Sequence, residues 1–249
     1  MGPWWWSERR ADVALGFTAR DGGFSSREYA GLNVAAHVGD DPGVVERNRT
    51  LVLEAVGDLA GTASVRAQFM DQVHGAEVRV ITDPGDLGDP VVSSDGIVTT
   101  LPGVALFSLV ADCVPVLLYD RDSGVIAAAH AGRPGMLAGV VPATLAAMRE
   151  VGAAGIEAAV GPGVCGRCYE VPEQMRDEAA LVEPVCASVT WSGTPAIDVA
   201  AAVVEQMRRE GIRPTWVPGC TREDERLYSY RRDGRTGRCA GVIVRRGTP

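Results

Sequence analysis

The chain has 249 residues, is 46% hydrophobic and 22% charged, and carries a formal net charge of −8. That balance suits a globular protein with a buried core, and it argues against DNA or RNA as a general partner. No apolar run approaches the ~18 residues of a membrane-spanning helix, so no membrane partner is expected. All 24 basic residues are arginine. The absence of lysine excludes a pyridoxal Schiff base and a Gly-Lys-Ser/Thr phosphate loop. Any bound phosphate must be held by arginine, backbone amides or metal. The segment Met1–Arg10, with Trp4-Trp5-Trp6, lacks the basic region, apolar core and cleavage site of a secretory signal. The six cysteines do not read as a disulfide scaffold. A reducing, cytoplasmic setting is therefore expected.

In chain order, the tryptophan run reads as a packed or frayed end, and Val13–Thr18 as a short strand. Asp41-Pro42 opens a helix reaching about Gly57, with the acid at the cap and proline at the first position. Val65–Met70 and Ala76–Ile81 read as strands around His74, and Thr82–Ser94 as a loop rich in Asp, Gly and Pro. Val104–Ala111, Val114–Tyr119 and Val125–Ala129 are near-continuous apolar runs, the pattern of strands covered on both faces. Helices are expected over Met136–Val151, Pro172–Val182 and Ile197–Glu210. Strands are expected over Ile156–Val160, Thr215–Pro218, Leu227–Tyr230 and Ala240–Val244. Without repeats or a long linker, this order predicts one α/β domain over residues 1–249, with layered mixed β-sheets flanked by helices.

The chain has only three histidines. His74 lies in Gln72-Val73-His74-Gly75, and His130 ends an apolar run before Ala131-Gly132-Arg133-Pro134-Gly135. Cys113 follows another apolar run in Ala111-Asp112-Cys113-Val114-Pro115. Two imidazoles and a thiolate form a three-ligand set of the kind that leaves a fourth zinc position open for chemistry. The spacing alone does not prove it. The separations of 39 and 17 residues match no zinc-finger ladder, and an inert Cys113 with two hydrogen-bonded core histidines would use the same residue types. Asp112, beside Cys113, is a candidate imidazole-orienting group or general base, with a solvated strand-end carboxylate as the plain alternative.

Other motifs say less. Cys165 and Cys168 form a lone Cys-x-x-Cys without a second pair. Gly161-Pro162-Gly163-Val164-Cys165-Gly166 matches Gly-x-Gly-x-x-Gly after a strand, but no helix opens within it, so it reads as a turn rather than a dinucleotide site. Arg20, Arg133, Arg231, Arg232, Arg235 and Arg238 are candidate anion contacts. His37 reads as structural.

Several blocks, in order along nearly the whole chain, resemble the YfiH family, also called the laccase-domain or polyphenol-oxidase family. They include Gly16-Phe17-Thr18-Ala19-Arg20, Leu32-Asn33, Gln72-Val73-His74-Gly75, Ala111-Asp112-Cys113-Val114-Pro115 and His130-Ala131-Gly132. Cys168-Tyr169-Glu170-Val171 and Tyr228-Ser229-Tyr230-Arg231-Arg232-Asp233-Gly234 continue the match. The resemblance implies a YfiH-like α/β fold and a zinc site made by His74, Cys113 and His130. It implies phosphorolysis of adenosine, inosine, guanosine and methylthioadenosine, and deamination of adenosine. Asp112 and Cys113 are the expected catalytic residues, and Arg20, Asn33, Gln72 and Arg133 the expected substrate contacts. The family pattern His-Ala-Gly-Trp-Arg-Gly is here His130-Ala131-Gly132-Arg133-Pro134-Gly135, which changes the turn that carries Arg133.

Purine nucleosides and phosphate are thus the expected partners, Zn2+ or Cu2+ the expected cofactor, and a monomer or weak homodimer the expected state. The alternatives are a copper-dependent polyphenol oxidase and a non-catalytic, metal-stabilised binding protein. A four-copper oxidase is excluded because three histidines are far too few for its centres.

Overall fold

Two sheets pack face to face, each with helices on its outer side; the computed structural model describes residues 2–62, 64–88, 90 and 93–246. The chain runs β1 (Trp4–Arg9), β2 (Val13–Thr18), α1 (Pro42–Ala60), β3 (Arg66–Gln68), β4 (Val78–Ile81), β5 (Gly96–Thr99), β6 (Val104–Val110), β7 (Val114–Asp120) and β8 (Ile126–Ala131). It continues with α2 (Arg133–Ala138), α3 (Val140–Glu150), β9 (Ile156–Val160), α4 (Glu173–Val182), β10 (Ala187–Val189) and β11 (Pro195–Ile197). It ends with α5 (Val199–Arg209), β12 (Thr215–Trp216), α6 (Tyr230–Asp233) and β13 (Cys239–Arg245). One sheet has the order β1-β2-β13-β6-β3, the other β12-β9-β7-β8-β5-β4, and β10-β11 is a separate hairpin. Parallel pairs β3–β6, β4–β5 and β9–β12 join antiparallel neighbours, so both large sheets are mixed.

Strand alternation builds the layers. Leu15 and Phe17 of β2, Leu106 of β6 and Ile243 of β13 point inward against Leu117 and Tyr119 of β7 and Ile126 and Ala128 of β8. The intervening Val116, Leu118, Ala127 and Ala129 pack on Met136, Leu145, Met148, Val203 and Met207 of α2, α3 and α5. On the far side, Ala14, Phe107, Val242 and Val244 cover Val52 and Val56 of α1. Hence β6, β7 and β8 are buried along their whole length, as their unbroken apolar sequences require. The sheets close tightly around Phe17. A Cβ on Gly161 would lie 2.5 Å from its ring, and one on Gly241 would lie 2.9 Å from Pro115.

The same alternation aims the ligands. In the β7–β8 register, Pro115 faces His130 and Val114 faces Ala131. His130 therefore shares the inward face of Ile126 and Ala128, and Cys113 shares that of Pro115 and Leu117. Both fall where the inter-sheet layer opens at its end.

Some elements differ from the sequence expectation. The helix expected over Met136–Val151 is two, because Gly139 sits at φ 87°, a left-handed turn that ends α2 and starts α3. Leu227–Tyr230 is not a strand. Its apolar residues anchor a loop, with Tyr228 fully buried and its hydroxyl donating to the Tyr29 carbonyl at 2.8 Å, and Ser229 caps α6. The tryptophans form edge strand β1, paired with β2. Strand β5 and the β10–β11 hairpin were not expected, and Ile197 ends β11 instead of opening a helix. Within the expected loop Thr82–Ser94, residues Asp89, Val91 and Val92 lie outside the described residues, as does Met1 of the N-terminal segment. No described helix is long and apolar enough to cross a membrane.

Phe17 is 1% exposed between the two sheets. Phe17→Ala should lower the unfolding free energy by about 3–5 kcal/mol, read by urea denaturation, without changing the number of metal ions held.

Candidate metal centre

The site is organised by a carboxylate outside its donor set. Asp95, fully buried at the start of β5, accepts hydrogen bonds from the backbone amides of Val73 (3.2 Å), His74 (3.0 Å) and Gly75 (2.7 Å). Its Oδ1 also lies 2.7 Å from His130 Nδ1, and its carbonyl accepts from the His130 amide. One side chain thus fixes a loop and a strand against each other. With Nδ1 donating to Asp95, the His130 tautomer leaves Nε2 free as a ligand. The same clamp holds His74 at φ 62°, a left-handed conformation that is costly for a residue with a Cβ.

Three donors converge as a result. Cys113 Sγ and His74 Nε2 are 3.6 Å apart, the two imidazoles stand edge to face at 4.8 Å between centroids, and all three donor atoms lie within 4.8 Å of one another. Tetrahedral zinc, at about 2.3 Å from sulfur and 2.0–2.1 Å from imidazole nitrogen, needs a sulfur–nitrogen edge of about 3.6 Å. The donor set fits. Glycines allow the closeness: a Cβ on Gly132 would sit 2.6 Å from the His74 ring and 3.1 Å from Cys113 Sγ, and one on Gly135 would sit 2.7 Å from the Gly75 carbonyl.

Burial raises the Cys113 pKa, but the charge of His130 and hydrogen bonds from both imidazoles outweigh it and bring the thiol down to about 6. Burial lowers the His130 pKa, while the Cys113 thiolate and Asp95 raise it to about 9. Burial also opposes ionisation of Asp95, yet its four donors hold it below the usual carboxylate range. Without metal, the cluster is a thiolate–imidazolium pair backed by a carboxylate.

These donors line a cavity of ≈ 400 Å³. Arg133, Arg231 and Arg238 add positive charge, Tyr169 and Tyr230 add aromatic faces, and His37 and Gln72 complete the polar wall. Arg231 stacks over Tyr169 at 4.9 Å. Arg238 reaches its position by donating to the Thr236 and Gly237 carbonyls. Burial and the charge of Arg238 lower the His37 pKa, so its imidazole is neutral at pH 7.

Of the residues expected from sequence, His74, Cys113, His130, Asp112, Gln72 and Arg133 come together here. Their polar atoms are not all free. The Gln72 amide pairs with β6 through Leu109 N and O, both at 2.8 Å. Asp112, at φ 88°, accepts from Thr221 Oγ1 (2.6 Å), Ser229 Oγ (2.7 Å) and Arg231 N (2.6 Å). It therefore ties down the 221–231 wall, and the imidazole-orienting job considered for it belongs to Asp95. Arg20 and Asn33 are not among the residues that line this cavity. Arg20 donates to the Ala30 carbonyl and stacks on Tyr228. Asn33 is fully buried and bonded to Ala35, Asp40 and the Arg238 amide. Asp95, Tyr169 and Tyr230 are the functional candidates that sequence reasoning missed. Tyr169 directly follows the Cys-x-x-Cys, and no local pattern marks it or Tyr230 as lining a cavity.

The layered α/β sandwich carries three donor side chains that could hold one metal ion at the edge of a cavity. Residues 14–246 match the family described as "Multi-copper polyphenol oxidoreductase laccase", and the chain belongs to this family. It is 53% identical over 233 residues to a purine nucleoside phosphorylase of Streptomyces coelicolor, covering 92% of this chain and 94% of that protein. It is 44% identical over 238 residues to a purine nucleoside phosphorylase of Corynebacterium glutamicum, covering 94% and 95%. The crystal structure of YlmD from Geobacillus stearothermophilus superposes with a TM-score of 0.85 at 30% identity, covering 99% of this chain and 100% of that one. The family and fold implied by the sequence blocks therefore hold.

Two outcomes follow from the clamp and the ionisation. Asp95→Asn should weaken zinc binding by roughly 10–100-fold, measured by competition with a chromophoric chelator. Zinc needs a neutral imidazole and a thiolate, so between pH 9 and 6 a proton must leave His130 on binding. Affinity should therefore fall about tenfold per pH unit as pH is lowered from 9, and more steeply below 6, where Cys113 also takes up a proton. Calorimetric titrations in buffers of different ionisation enthalpy read the proton release directly.

Proposed function

We propose that this protein is a zinc-dependent purine nucleoside phosphorylase, acting on adenosine, inosine, guanosine and methylthioadenosine, that also deaminates adenosine. The observation that carries the reading is the joining of a His74–Cys113–His130 donor set to an arginine-edged cavity of ≈ 400 Å³. The names of the Streptomyces and Corynebacterium relatives support it. Its volume is within the ordinary range for small-molecule sites.

When bound, zinc supplies a Lewis acid that polarises a substrate oxygen or water. In phosphorolysis a phosphate oxygen forms a bond to C1′ of the ribose while the C1′–N9 bond breaks, and the purine leaves with the electron pair. In a chain without lysine, Arg133, Arg231 and Arg238 hold the phosphate, and their planar forks suit its oxygens. Tyr169 and Tyr230 offer faces to the purine. Neutral His37 offers a hydrogen bond to the base without adding charge. Asp112 positions the Arg231 backbone, and Arg20 and Asn33 support the wall from behind.

The family description favours phenol oxidation as the second reading. The chain bounds it to a single copper in the same donor set, since there are three histidines in all and copper competes well for such ligands.

Metal-quantified protein should be incubated with inosine or adenosine, with and without phosphate, and the products separated. Phosphate-dependent release of hypoxanthine is expected from inosine, and phosphate-independent inosine from adenosine. If zinc-loaded protein forms neither product, the reading is overturned. Cys113→Ala should abolish turnover with a minor loss of melting temperature; a collapse of the fold with no turnover in the native protein would favour a structural metal.

A further inference from the structure

Cys165-Gly166-Arg167-Cys168 is a lone Cys-x-x-Cys in the sequence, but the fold brings two more donors to it. The amides of Cys168 (2.9 Å) and Tyr169 (3.0 Å) both donate to the Cys165 carbonyl, closing a tight turn. Gly163 forms a parallel bridge with Cys220, and the Cys165 amide points at Cys220 Sγ from 3.4 Å. From Cys220 the chain turns at once, with the Glu223 amide donating to the Cys220 carbonyl at 3.1 Å. This returns the Glu223 carboxylate to 3.3 Å from Cys168 Sγ, where Trp191 Nε1 also donates to it. The four donor atoms lie within 4.8 Å of one another, and Cys168 and Cys220 are buried.

We propose that Cys165, Cys168, Cys220 and Glu223 hold a second zinc ion, in a closed four-donor site separate from His74, Cys113 and His130. Thiolates and carboxylates are both zinc ligands, two-residue spacing between cysteines is a common ligand pair, and four protein donors characterise a structural rather than a catalytic ion. On binding, the thiols release their protons to solvent and nothing is oxidised or reduced. A divalent cation is what turns such a cluster into thiolates.

The ion has a structural consequence for the cavity. It ties the segment after β9 to the 220–223 turn, whose Thr221 donates to Asp112, and Tyr169 follows Cys168 directly. The second site thus braces the segments that bring Asp112 and Tyr169 to the cavity.

The full-length protein, purified with zinc and a thiol reductant, should contain two zinc ions per chain by elemental analysis. Cys220→Ser and His74→Ala should each contain one. Cobalt-loaded His74→Ala should show the strong sulfur-to-cobalt charge transfer of a three-thiolate site, and Cys220→Ser should lack it. Glu223 is exposed, so Glu223→Ala tests the site without touching the core and should lose the second zinc to a chelator first. One zinc in the native protein, unchanged in Cys220→Ser and Glu223→Ala, overturns the proposal. So does a native mass lower by two hydrogens, with alkylation mapping a disulfide among these cysteines. Neither result bears on nucleoside turnover, which the first centre alone would support.

Discussion

The Asp95 carboxylate is the constraint on which the centre depends. It gathers three successive amides of the His74 loop and the Nδ1 of His130 onto two oxygens. A buried carboxylate is unfavourable unless its lone pairs are filled, and these are. The arrangement holds His74 in a conformation that costs of order 1–3 kcal/mol for a residue with a side chain. It also decides which nitrogen of His130 faces its neighbours. Cys113 then needs only its strand register to arrive beside them, and the missing side chain at Gly132 gives it room.

Much of this was legible in the sequence, for a physical reason. Residues 104–110, 114–120 and 126–131 form strands covered on both faces, so their apolar runs have no competing interpretation. Cys113 and His130 stand out because each breaks such a run at its end. Asp95 was not legible. It directly follows the stretch Thr82–Ser94 that reads as loop, and its role arises only when β5 pairs with β8 and brings residue 95 beside residue 130. Leu227–Tyr230 misled for the opposite reason: a loop laced by Arg232 to the Thr221, Asp224 and Leu227 carbonyls buries Tyr228 without any ladder. Cys220 and Glu223 lie more than 50 residues from the Cys-x-x-Cys they approach, and no local pattern announces them.

Arginine does two jobs in a chain that has no lysine. Arg20, Arg232 and Arg246 use their forks on backbone carbonyls and tie loops to one another. A guanidinium suits this task because it presents several donors in fixed directions. Arg133, Arg231 and Arg238 line the cavity, and two of them brace as well: Arg231 donates to the Glu170 carbonyl and Arg238 to those of Thr236 and Gly237. From sequence the two groups look alike, and only the fold places each guanidinium at the cavity or away from it. Asn33 belongs to the bracing set too, since it fixes the amide of Arg238.

The acidity of Cys113 has a further consequence. A sulfur ionised near pH 6 and facing an open cavity is a good ligand, and when bare it is also a good nucleophile. Stripped of its ion, the centre presents that sulfur to peroxide, and the first oxidation product passes readily to forms that do not revert. A metal held there would shield the sulfur from this chemistry. Protein stored in chelator would age chemically while remaining folded, and adding zinc later would restore only those molecules whose sulfur had been spared.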